Sequence, residues 1–81
     1  MITPQKKAWM KRQLLKLKNA EATLYKRTPE ARKQHVQASL DIDSVVAWLR
    51  KQKNVFFHRR GSEMYLVDKN LTVLASTKDT D

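Results

Sequence analysis

The stretch DSVVAWLRKQKNVFFHRRGSEMYLVDKNLTVLA, residues 43–75, decides the fold. Its first part reads as a helix. Asp43 is a side-chain acceptor suited to the positive helix end, and Ile42, Val45, Val46 and Leu49 form one apolar face at helical spacing. Arg50, Lys51 and Lys53 fall in the last turn, where cations suit the negative helix end, and Asn54 is a natural left-handed terminator. The period then changes to two. Gly61-Ser62 fits a two-residue hairpin with glycine first, and Lys69-Asn70 fits a second. If both turns hold, Phe57, Leu66 and Val73 lie side by side on a buried face, flanked by Val55, Met64 and Ala75. The other face then carries Phe56, His58, Tyr65, Val67, Thr72 and Leu74, with Arg60 across from Glu63.

Upstream, Thr3-Pro4 is a helix start, and a helical pattern extends to about Arg27. Met10, Leu14, Leu17, Leu24 and Tyr25 share one of its faces, with Glu21 among them, either at the rim or paired with an arginine from elsewhere. Thr28-Pro29 ends this helix and caps a second over residues 29–39, and Asp41-Ile42-Asp43-Ser44 starts a third. The expected fold is therefore α+β: three short-to-medium helices followed by a small antiparallel β-meander. In outline this is similar to a winged-helix arrangement, although no family motif is present. The expected core is Leu14, Leu17, Val45, Leu49, Phe57, Leu66 and Val73. Residues 1–76 form a single small basic domain, and the polar tail 77–81 is expected to fray.

Charge is the most informative property of the composition. The chain carries +9, and residues 1–60 hold fifteen Lys and Arg against four acids. Such asymmetry fits a polyanion or an acidic protein surface. Two groups stand out. Trp9, Arg12 and Lys16 recur along one side of the first helix, with Arg27 further on, so that cations meet phosphates while an exposed indole stacks. Arg50, Lys51, Lys53, Arg59 and Arg60 span the end of the third helix and the first hairpin, and are expected to form one patch. Each has a plain structural alternative. Trp9 can fold over the core, and charged hairpin residues can simply guard a sheet edge.

Other classes fit less well. There is no cysteine, hence no disulfide framework or thiolate metal site. His35 and His58 share no metal-ligand spacing with a carboxylate, and a lone glycine, Gly61, cannot supply a phosphate-cradling loop. The longest uninterrupted apolar run, Val45–Leu49, predicts neither a signal peptide nor a membrane span, so the expected location is cytoplasmic. An amphipathic membrane-surface helix over residues 6–18 would use leucines that the core needs. His58, Arg59, Arg60 and Tyr65 have the residue types of a metal-free ribonuclease, but a sheet histidine is the commoner reading. A helix-turn-helix reading of residues 30–53 puts Asp41 and Asp43 where phosphates must approach and offers only Val46 and Ala47 for base contacts. The expectation is a small non-catalytic nucleic-acid-binding or transcription-modulating protein without a cofactor. It would bind DNA or RNA mainly by neutralising phosphates. The alternative is an inhibitor or adaptor, of the kind bacteriophages encode, whose basic face covers an acidic surface on a machine such as RNA polymerase.

Overall fold

The Thr3 hydroxyl accepts from the Lys6 backbone N–H at 3.1 Å, and Pro4 takes the first helical position, where no amide hydrogen is needed. In this computed structural model, which describes residues 3–78, helix α1 runs over Pro4–Tyr25. Thr28 repeats the device. Its hydroxyl accepts from the Ala31 N–H at 3.2 Å and Pro29 opens α2, Pro29–Lys33. Gln34 interrupts the helix for one residue, and α3 follows over His35–Arg50. A three-stranded antiparallel sheet completes the α+β fold, with β1 (Phe56–Arg60), β2 (Glu63–Val67) and β3 (Val73–Ser76) in that spatial order.

The break between the last two helices falls earlier than the sequence signals imply. Asp41–Ser44 lies inside α3, not at its start. No proline or glycine interrupts this stretch, and Asp41 finds a helical partner instead of capping, accepting from Gln37 Nε2 at 3.0 Å one turn back. Its carboxylate also lies 4.0 Å from Lys16 Nζ on α1. At its other end α3 stops at Arg50, earlier than expected, with Lys51 as a right-handed cap. Asn54 does adopt φ +60, but in the loop three residues further on and not as the helix terminator.

The sheet packs on α1, and α3 packs on α1 as well. Met10, Leu14 and Leu17 of α1 meet Val45 of α3 and Val55, Met64, Leu66 and Ala75 of the sheet region in one core. Ile42, Trp48, Leu49 and Leu74 border it. The apolar face of α1 outruns its cover. Leu24 is partly exposed and Tyr25 is 82% exposed, while the shorter Gln13 and Ala20 are buried closer to the neighbouring elements. What meets the end of α1 is His35, whose Nε2–H donates to the Thr23 and Lys26 carbonyls at 3.1 and 3.2 Å. The Thr23 carbonyl also accepts from the Lys26 backbone N–H at 3.2 Å, so the histidine adds a second donor there and supplies one to the Lys26 carbonyl at the helix end.

The first hairpin has the expected register, with Phe57 opposite Leu66 and Arg60 opposite Glu63. Gly61 holds φ +61 and Ser62 has no positive φ, as a turn with glycine in first place requires. The second hairpin differs. Its loop is one residue longer: the Asp68 N–H donates to the Thr72 carbonyl, and Asp68 Oδ1 accepts from the Asn70 and Thr72 amides. Leu71 closes the loop at φ +65, the left-handed residue of a three-residue turn. A bulge between Leu66 and Val67 then pairs Leu66 with Ala75 and Val67 with Val73. Val73 consequently faces outward and is 53% exposed, whereas Leu74 turns towards the core. Phe57 shares the inner face with Leu66, but on the edge strand it stays 36% exposed. The tail expected to fray from residue 77 is tied down at its start. Thr77 exchanges backbone and hydroxyl bonds with Met64 and donates to Glu63 at 2.9 Å. Residues 79–81 lie outside the described residues.

Leucine is a poor residue for the conformation at position 71, because its Cβ crowds the neighbouring carbonyl by about 1–2 kcal/mol. Leu71 is 75% exposed, so its removal sacrifices little burial. Leu71→Gly should therefore stabilise the protein, by about 0.5–1 kcal/mol once the more flexible unfolded chain is discounted. Urea denaturation checks this, and a loss of stability would mean that the leucine side chain itself holds the loop.

Candidate nucleic-acid interface

The cations expected to form one patch are split between the ends of a molecule 44 Å long, with Arg50, Lys51 and Lys53 towards one and Arg59 and Arg60 towards the other. The two helices run antiparallel, as Lys16 beside Asp41 and His35 beside Thr23 show. The end of α3 therefore lies towards the start of α1. There Lys53 joins Lys6 and Lys7 around an open cleft of about 730 Å³, with Met10, Val55 and Leu74 among its lining. Arg50 and Lys51, exposed at the end of α3, belong to this end of the molecule. At the other end are Arg27, just beyond α1, and the first hairpin. Glu21, where Arg59 docks, stands fourteen residues beyond Lys7, about 21 Å along the helix. Lys53 and Arg59 are thus separated by the length of β1. Between the two ends run Trp9, Arg12 and Lys16, on exposed positions of α1, with Trp9 48% exposed and free to stack.

Strand alternation sends Arg59 and Arg60 to opposite faces. Arg59 turns inward, and its Nη2 donates to both carboxylate oxygens of Glu21 at 2.7 and 2.6 Å. Its guanidinium lies 6.0 Å from the Phe57 ring centroid. The bond to Glu21 holds the arginine's pKa above its already high ordinary value, with burial opposing it and the Glu21 charge adding to it. Glu21 is therefore paired with an arginine from the sheet. Among the described residues, Arg12, Arg27, Arg50, Lys51, Lys53 and Arg60 make no ion pair. These side chains are available to an external anion.

The outer sheet face carries a different chemistry. Phe56, Val67 and Val73 form one cross-strand row, and His58 and Tyr65 form the next, their ring centroids 6.2 Å apart at 47°. Arg60 lies on the rim of this face, opposite Glu63. The four residues with ribonuclease-like chemistry do not meet, since Arg59 is on the inner face and His58, Arg60 and Tyr65 are on the outer.

No protein-family model, no curated protein and no solved structure matches this chain. Among the described residues no helix is long and apolar enough to cross a membrane, and no three His, Asp or Glu gather as a metal site.

Sequence reasoning singled out Lys53 but not Lys6 and Lys7, which share its cleft. Their sequence distance from Lys53 hides the contact, although the cluster of lysines after Pro4 was visible. Val73 and Leu71 were likewise out of reach as surface groups, because a leucine gives no warning of positive φ.

Proposed function

We propose that this protein binds nucleic acid, without catalysing a reaction, chiefly by neutralising backbone phosphates. The observation that carries the reading is the charge left uncompensated by the fold. Only two ion pairs occur among the described residues, while Arg12, Arg27, Arg50, Lys51, Lys53 and Arg60 remain open to solvent along the molecule's length. Distributed cations of this kind contact successive phosphates and carry little base information, so binding is strong at low salt and only modestly sequence-specific. Helix α3 supports the same conclusion. Asp41 and Asp43 now lie within it, and its exposed positions include Val36, Leu40 and Val46, a surface unsuited to major-groove readout. The cytoplasm is the compartment that matches this partner and a cysteine-free chain.

A mobility-shift assay with generic DNA and RNA at low salt tests the reading. The purified protein alone should retard both. Absence of any shift would move the basic surface to the second class, an inhibitor or adaptor lying on an acidic protein such as RNA polymerase.

A further inference from the structure

The phosphate contacts leave the outer sheet face unused. That face is apolar and aromatic in its middle and carries Arg60 opposite Glu63 at its rim. Phe56 and Val73 are each 53% exposed beside the buried Val67, and Leu71 projects from the adjoining loop at 75% exposure. Among the described residues no helix covers this side, because α1 packs against the face that carries Met64, Leu66 and Ala75. His58, Arg60, Tyr65, Val67, Leu71 and Val73 bound a shallow hollow of about 270 Å³.

We propose that a single-stranded nucleic acid lies across this face, with bases stacked on Phe56 and on the His58–Tyr65 pair and with Arg60 on a phosphate. The proposal rests on the nucleic-acid reading above and names the form of nucleic acid bound. Charge selects the occupant. A chain of net +9 repels a second copy of itself and attracts a polyanion, and Arg60 is the arginine of the edge strand that this face offers it. Apolar surface selects the form. A duplex presents phosphates and groove edges while keeping its base faces stacked inside, so it gives Phe56, Val73 and Leu71 nothing to cover. A single strand offers base faces, each of which stacks on an aromatic ring irrespective of sequence. Spacing also agrees, since Phe56 and His58 are two residues apart and point the same way along one strand.

Fluorescence anisotropy of a labelled 15-nucleotide single strand and of its duplex, at one fixed salt concentration, tests this. The variant is Phe56→Leu, which keeps apolar bulk at a half-exposed position but removes the ring. The wild type should bind the single strand at least fivefold more tightly than the duplex. Phe56→Leu should lose about tenfold on the single strand, the effect of one lost stack, and less than twofold on the duplex. Equal affinity for the two forms with Phe56→Leu unaffected would overturn the stacking face while leaving phosphate binding intact. Binding of neither form would instead remove the underlying reading. Sedimentation of the wild type as a dimer that Phe56→Asp converts to monomer would assign the face to a second copy and overturn the proposal.

Discussion

Replacing Leu66 with alanine is expected to cost about 2–5 kcal/mol, the range of buried leucine truncations that leave a cavity. The side chain is 1% exposed, on the middle strand, between Phe57 on one side and Ala75 on the other. Its neighbours are poorly placed to close the gap. Ala75 has no side chain to extend, and Met10 and Leu14 are anchored on a helix that also serves α3. A domain of this size has only about 4–12 kcal/mol of stability in total. The loss therefore removes a large share of it and, at the upper end, unfolds the protein. The companion change Val73→Ala should stay within about 0.5 kcal/mol, because the bulge places Val73 on the open face. Urea midpoints at constant slope measure both. Equal costs at the two positions would contradict the register of the second hairpin.

That contrast also shows where the sequence was legible. Helix starts at Thr3 and Thr28 and the turn at Gly61 rest on local chemistry with few alternatives, and each occurs where the residues place it. The inner row of Met64, Leu66 and Ala75 follows from strand alternation, and the outer positions of Phe56, His58 and Tyr65 from the same period. The second hairpin did not follow, because Lys69-Asn70 is a reasonable two-residue turn and the loop instead recruits Leu71 in a conformation leucine disfavours. One added residue moved Val73 from the core to the surface and Leu74 the other way. The α2–α3 boundary moved for a related reason. An aspartate is a cap only if nothing better is in reach, and Gln37 and Lys16 were.

The site was legible as composition and less so as geometry. Every cation singled out in the sequence is on or near the surface, yet those expected to cluster around the first hairpin are distributed over both ends. Arg59 and Arg60 look equivalent in sequence and differ in the fold. One is committed to Glu21 and the other faces out beside His58 and Tyr65. Tertiary pairing of this kind depends on which face of α1 meets the sheet, which charge counts along the chain do not encode.

The uncompensated cations are proposed to bind phosphates, and the dependence of affinity on salt measures this directly. Each phosphate contact displaces condensed counterions and contributes about 0.7–0.9 to the slope of log affinity against log salt. Four to six contacts give a slope of roughly −3 to −5, and a fourfold rise from about 50 to 200 mM salt then weakens binding by about 60- to 1,000-fold. The candidates for these contacts are Lys6, Lys7 and Lys53 at one end, Arg12 along α1, and Arg27 and Arg60 at the other. Anisotropy titrations of a generic oligonucleotide over this salt range should give a straight log–log line with that slope. A slope near zero at measurable affinity would contradict the phosphate-neutralising account.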